Sequence, residues 1–203
     1  IRAKISRVAL HLRFTAQAGY EYKSGSLGFF EVTEGIKPDQ AHSNSLVDFV
    51  KKNDLMLTDL GYFKLSVFQK LIAKEAYFLS KLLIGTTLRN ADTLEKIDLS
   101  ATLHSFDGNI LEMDVIMGND KHQVSCRLIG LRVTEQVANA RRRKLRKEAE
   151  KKGRTPSQNH LALCDWTLFV TNATAEMLPF NIVNSLYRLR WQIELIFKQL
   201  NPT

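Results

Sequence analysis

Tyr187-Arg-Leu-Arg-Trp-Gln-Ile-Glu-Leu-Ile-Phe-Lys198 is the stretch on which the reading of this chain turns. No Gly or Pro interrupts it. Asn184 or Ser185 stands where a helix cap is wanted, and Leu186, Ile193, Leu195, Ile196 and Leu200 supply an apolar side, so the pattern predicts a helix. Tyr187, Arg190 and Glu194 then fall at i, i+3 and i+7, which lines a phenol, a guanidinium and a carboxylate along one face, with Lys198 one turn further on. Such a face can hold a phosphate and a metal together. It is equally the face of an amphipathic surface helix with an Arg190–Glu194 ion pair, worth about 0.3–0.5 kcal/mol.

A chain of 203 residues allows one domain with a substantial core, or a core with an inserted subdomain. A hydrophobic content of 44% and a charged content of 25% are those of an ordinary globular protein. The net charge of +8 and pI near 9.5 point to a polyanionic partner. Cys126 and Cys164 lack metal-ligand spacing and read as buried or reduced thiols, as in an intracellular protein. No apolar run approaches the roughly 20 residues that span a bilayer, which excludes a membrane partner of that kind, and no signal peptide is visible. The first residue is Ile, so both ends read as cut.

Val8 to Phe14 alternates as a strand, residues 17–26 read as its turn, and Leu27 to Thr33 as a second strand, giving an opening hairpin. Asp39 to Asn53 reads as a helix with Leu46, Val47, Phe49 and Val50 inward. Leu55-Met-Leu-Thr-Asp59 is a short apolar strand ending in a carboxylate, Lys64 to Lys74 a helix, and Ala76 to Ile84 a strand. That order implies a parallel pair joined by a crossover helix, with Asp59 at the carboxyl end where ligands gather in open α/β sheets. Asp59 is also a good turn former or cap.

Residues 85–133 are short alternating runs punctuated by Gly, Asn and Asp, hence an antiparallel β region, with Ile110 to Ile116 paired to His122 to Val133. His104 and His122 lack companion ligands and read as strand-surface residues. Residues 141–154 hold nine basic and two acidic side chains, a net of +7, so the surplus charge sits in one helix. That run, beginning with Arg141, Arg142, Arg143 and Lys144, is either a solvated face or a contact for DNA phosphates. Thr155 to His160 reads as a mobile loop and Asp165 to Asn172 as the final strand.

Tyr-x2-Arg-x3-Glu, with Trp191 after the Arg and Ile193 before the Glu, resembles the Tyr-Arg-Glu-Lys signature of bacterial insertion-sequence transposases of the DDE superfamily. Thr-Asp59-Leu-Gly-Tyr-Phe resembles the stretch bearing the second triad Asp of that group, and Trp166-Thr-x-x-Val-Thr-Asn172 is similar in wording. The resemblance covers essentially the whole chain.

It implies an α/β fold with an RNase H-like core, its first strand missing from this chain, carrying a β-rich insertion before the C-terminal helix. The divisions are then 1–84 for the first part of the core, 85–179 for the insertion with its basic helix 141–154, and 180–203 for the core helix. Asp59 and Glu194 become catalytic ligands of Mg²⁺ or Mn²⁺. Tyr187, Arg190 and Lys81 become DNA contacts; so does Lys198, although the signature places its Lys at the position of Asn201. The first triad Asp fits no residue here, Asp39 and Asp48 included, and is expected upstream of Ile1. The implied activity is strand cleavage and transfer at transposon ends, with transposon-end and target DNA as partners and a homodimer on DNA, in the bacterial cytoplasm beside the nucleoid. The alternative is an inactive transposase remnant or a DNA-binding α/β module with Asp59 and Glu194 far apart. Trp191, off the Tyr–Arg–Glu face, reads as a core residue.

Overall fold

The structure is a computed structural model that describes the backbone of residues 2–9, 14–21 and 26–34 and all of residues 47–191. Its strands are β1 (Arg2–Ala9), β2 (Phe14–Glu21), β3 (Ser26–Glu34), β4 (Asp54–Thr58), β5 (Tyr77–Lys81), β6 (Leu88–Asn90), β7 (Ile110–Asn119), β8 (His122–Arg132) and β9 (Trp166–Thr171). Among the described residues these make one nine-stranded sheet in the order β3-β2-β1-β4-β5-β9-β8-β7-β6. The helices are α1 (Leu65–Ala73), α2 (Leu99–Ser105), α3 (Glu135–Glu150), α4 (Gln158–Ala162) and α5 (Phe180–Arg188). The α/β class is as expected.

β4 is buried along its whole length and lies parallel to both β1 and β5. A strand covered on both faces suits the unbroken apolar run Leu55-Met-Leu, and α1 is the crossover that returns the chain to β5. Alternation then sorts side chains to two cores. Met56, Phe78, Leu168 and Val170 join Val67, Phe68 and Leu71 of α1 on one face. Leu55, Leu57, Leu79 and Phe169 join Val183 and Tyr187 of α5 on the other. Phe68 stacks on Phe78 with ring centroids 4.2 Å apart.

The opening hairpin is corrected to a three-stranded antiparallel meander, in which Gln17 to Glu21 belong to β2 rather than to a turn. Residues 10–13, Leu-His-Leu-Arg, contain no Gly, Pro, Asn or Asp, so the alternation reads straight through the break. β1 occupies the central place beside β4, and its sequence, RAKISRVA, contains no carboxylate. Of the helix expected at 39–53, residues 47–49 are helical, and 39–46 lie outside the described residues.

Residues 85–133 hold α2 as well as strands, so His104 stands on a helix; the β7–β8 ribbon pairs as expected, from Ile110↔Leu131 to Asn119↔His122. α3 begins at Glu135, ahead of the basic run. The expected loop at 155–160 is partly α4, where the Ser157 hydroxyl caps the helix by accepting from His160 N. Cys126 and Cys164 are free and buried. Among the described residues no helix is long and apolar enough to cross a membrane.

β9 is the piece that joins the two halves of the sheet, pairing antiparallel with β5 on one side and β8 on the other. Beyond its last ladder residue a side chain takes over. Asn172 Oδ1 accepts from Phe78 N at 2.8 Å and its Nδ2 donates to Ala76 O at 3.0 Å, so one amide imitates the next backbone pair along β5. The Thr171 hydroxyl donates to Phe78 O at 2.6 Å. Together they fix where the chain leaves the sheet for α5.

Candidate active site

β4 ends at Thr58, and Asp59 follows as the cap of a single 3-10 turn, Leu60–Tyr62, its Oδ1 accepting from Leu60 N at 2.7 Å. The modest reading of Asp59 is therefore true, and it leaves the other carboxylate oxygen free to face across the sheet. There Arg190 Nη1 stands 3.3 Å from Asp59 Oδ2, bridging 131 residues of sequence. The guanidinium side chain is 9% exposed and the carboxylate side chain 28%, so the pair is largely withdrawn from solvent.

The helix that brings Arg190 starts earlier than expected. α5 begins at Phe180 with Pro179 in the N-cap position, and Asn184 and Ser185 lie inside it. Proline's fixed φ and missing N–H make it an acceptable start without a side-chain cap. At its far end the helix tightens: Leu189 N bonds Leu186 O and Arg190 N bonds Tyr187 O, both three residues back. In such a turn residues i and i+3 eclipse, which sets Arg190 directly over Tyr187 with the guanidinium carbon 5.7 Å from the ring centroid. Tyr187 is buried, donates its hydroxyl to Thr58 O at 3.1 Å, and meets Phe169 edge-on at 5.3 Å. Thus the tyrosine anchors the helix to the strand end that carries Asp59.

Lys81, at the end of β5, places its ammonium 5.5 Å from the Tyr187 ring centroid. Burial first, then the charges of Arg141 and Arg190, pull the Lys81 ammonium below its ordinary value, against the pull of Asp59. Lys81 thus stands near two other cations and one carboxylate, an arrangement that a phosphate would relax. Burial pushes the Tyr187 phenol up to about 12, opposed by Arg190.

The fold favours the neutral phenol, so the stability it contributes is whole below its ordinary value of 10 and lost as pH rises from 10 to about 12. Lys81, whose folded value is depressed, acts in the opposite direction, with stability lost as pH falls. Tyr187→Phe isolates the tyrosine. Without divalent ions, the wild-type urea midpoint should fall relative to the variant's between pH 10 and about 12; parallel curves would mean the phenol is not so held. At neutral pH the variant should lose about 1 kcal/mol with its hydrogen bond to Thr58.

Two clefts flank the cluster. One of about 480 Å³ is lined by Lys81, Arg141, Thr167, Tyr187, Arg188 and Trp191 among others. The second, about 540 Å³, shares Lys81, Arg141 and Thr167 and continues past Leu60 toward His160. Trp191 is 60% exposed, which corrects its expected place in the core. The tightened turn before it rotates the indole outward, and a uniform helical wheel cannot show that.

The expected DNA contacts divide. Arg141 is committed to the fold, donating to Trp166 O at 2.8 Å and Thr167 Oγ1 at 2.9 Å. Arg142 bonds Asn139 Oδ1 at 2.9 Å and pairs with Asp165. Arg143 and Lys144 point to solvent, where Lys144 lies 3.9 Å from Glu148. So Asp59, Lys81, Tyr187 and Arg190 meet at one place, Arg141 borders it, and the outer basic run is separate. Glu194 and Lys198 lie outside the described residues. Sequence reasoning missed Phe169 and the Thr58 carbonyl, because neither residue type signals a site; only the sheet register brings them under Tyr187.

The family described as Transposase DDE domain matches residues 11–201. The transposase for insertion sequence element IS231F of Bacillus thuringiensis subsp. israelensis is 28% identical over 198 residues, covering 90% of this chain and 42% of the relative. The transposase for insertion sequence element IS1151 of Clostridium perfringens is 29% identical over 198 residues, again 90% of this chain and 42% of its own length. The chain therefore spans 42% of the length of these curated relatives. The family match runs through Asp59, Lys81, Tyr187 and Arg190 alike, and the chain belongs to the transposase DDE domain family.

Proposed function

We propose that this chain is the catalytic part of a transposase that cleaves and transfers DNA strands at transposon ends with a divalent metal ion. The observation that carries the reading is the meeting of Arg190 with Asp59 at the mouth of β4, beside Lys81 and Tyr187. β3-β2-β1-β4-β5 with crossover α1 reads as an RNase H-like core, with β1 beside β4 where the sequence reading has the first strand missing. In this reading 1–84 and 180–203 belong to that core and 85–179 to the insertion.

Asp59 fits Mg²⁺ or Mn²⁺ by its chemistry. Its donors are hard oxygens, it is partly exposed, and its 3.3 Å contact to Arg190 is longer than the roughly 2.7–2.9 Å of a tight charge-assisted bond, hence exchangeable. Glu194 is the proposed companion ligand. β1 carries no carboxylate, so the first triad carboxylate comes from a residue outside β1. A metal ion held there would supply Lewis-acid stabilisation of the phosphodiester and activation of the attacking water or 3′-hydroxyl.

The chain's own side chains do the rest. Arg190 offers a fixed charge and a planar fork to a phosphate, and Lys81 adds a second charge from the opposite wall. Tyr187 stays protonated and keeps both attached to the strand end. Lys198 would extend the contact along the helix. Arg143 and Lys144 lie on the free side of α3, where they meet DNA backbone as salt-sensitive, sequence-independent contacts. Arg141, expected beside them on DNA, shapes the cleft wall, and Arg142, expected there too, ties α3 to Asp165. The partners are transposon-end and target DNA, with a homodimer on DNA, and the setting is the bacterial cytoplasm at the nucleoid.

Crystals soaked in Mn²⁺ test this directly. Anomalous density should lie about 2.0–2.2 Å from oxygens of both Asp59 and Glu194. Carboxylates on separate faces, with no shared ion, would leave a DNA-binding module in place of the enzyme.

A further inference from the structure

Arg127 stands on β8, away from the cleft, and is 9% exposed. Its Nη1 donates to Glu112 Oε1 on β7 at 2.9 Å. Its Nη2 donates to Thr174 O at 3.2 Å and to Leu178 O at 2.5 Å. Those two carbonyls belong to the segment that carries the chain from β9 into α5. Leu178 N bonds back to Thr174 O at 2.9 Å, which closes the segment into one turn immediately before Pro179. The Leu178 side chain lies in the same core as Val183 and Tyr187.

A buried cation at this place is hard to explain by stability. The start of a helix carries the positive end of its dipole, so a guanidinium there is opposed by the field and held by acceptors alone. Buried ion pairs as a class add little stability over apolar replacements of the same volume; fixing one arrangement is their better-attested use. Here the arrangement fixed is the launch point of α5. Arg190 lies roughly 18 Å along the axis from Leu178, at ~1.5 Å per residue, so a tilt of about 3° at the turn moves it by about 1 Å. A displacement of about 1 Å at a reacting centre can cost about a hundredfold in rate.

We infer that Arg127 is a positioning residue that ties the β7–β8 ribbon to the turn before α5, and so sets where Tyr187 and Arg190 stand relative to Asp59. The ribbon lies in the proposed insertion, and Asp59, Tyr187 and Arg190 in the proposed core. One side chain therefore makes the position of the first a determinant of the second. The catalytic part of this inference rests on the proposed function; the positional part does not.

Hydrogen exchange by mass spectrometry and Mn²⁺-dependent DNA cleavage, on wild type, Arg127→Gln and Arg127→Lys, separate the two. Arg127→Gln should speed exchange across residues 174–190 at least tenfold with β4 and β5 unchanged, and lower kcat at least tenfold with KM within twofold. Arg127→Lys should show the same defects, since one ammonium can pair with Glu112 yet cannot also span two carbonyls; it decides the case if Arg127→Gln does not fold. Wild-type behaviour in Arg127→Lys, or exchange raised evenly over the sheet, would overturn the inference. If the wild-type chain does not cleave DNA, the proposed function fails, and the exchange pattern still decides the positioning.

Discussion

Asp59→Asn should abolish metal-dependent cleavage, by about a thousandfold or more, while leaving the fold in place. The amide is nearly isosteric, and its oxygen can still accept from Leu60 N, so the 3-10 turn after β4 survives. What is lost is the anionic oxygen that faces Arg190 and, in the proposed mechanism, the metal. A metal ligand worth about 4 kcal/mol of transition-state stabilisation corresponds to about a thousandfold in rate. The substitution also takes a counter-charge from beside Lys81, Arg141 and Arg190, so a stability loss of about 1–2 kcal/mol should accompany it. Single-turnover cleavage in Mn²⁺ beside a thermal melt reads both quantities. A variant that cleaves as well as wild type would leave Asp59 as a turn cap and nothing more.

The largest stability effect should come from Phe169→Ala. Phe169 is fully buried on β9, under α5, with its ring against Tyr187. Truncating a buried Phe costs about 3–5 kcal/mol, through lost apolar burial and the cavity left behind. In a chain of this size each kcal/mol lowers Tm by about 2–4 °C, so a fall of roughly 6–20 °C is expected. Phe169→Leu makes the companion measurement. It should cost less than about 1.5 kcal/mol yet deprive Tyr187 of its edge-on partner, weakening DNA binding out of proportion to its small stability loss. A melt of Phe169→Ala within about 3 °C of wild type would show that α5 is not docked as described.

The features that read correctly from sequence are those set by local spacing. Asp59 follows an apolar strand, Tyr187 and Arg190 fall on one side of the helix end, and β7 and β8 pair as a ribbon, with Asp120-Lys121 as its turn. The family was legible for the same reason, because its wording lies in those short stretches. What escaped was non-local. The break between β1 and β2 has no turn residue to mark it. Pro179 opens α5, ahead of the Asn184 and Ser185 that stand where the pattern wants a cap. Trp191 faces out because the turn ahead of it tightens, and Arg141 looks like the residues around it until strand β9 arrives beneath it. No periodicity in β8 distinguishes Arg127 from an ordinary strand cation. Its meaning lies in carbonyls of a segment 47 and 51 residues later.

The separation of the two halves of the cleft has a consequence during translation. β4, α1 and β5 contain neighbouring segments and can associate soon after they leave the ribosome, whereas Arg190 follows Asp59 by 131 residues. At ~5–20 residues per second the delay is roughly 7–26 s. Throughout that interval the nascent chain displays the carboxylate with neither the Tyr187 anchor nor the Arg190 charge, and nothing in it can grip a phosphate at Asp59 from the helix side. On the proposed function, the order of synthesis itself keeps an unfinished chain from holding a phosphate between Asp59 and Arg190: the last described helix to be made completes the cleft.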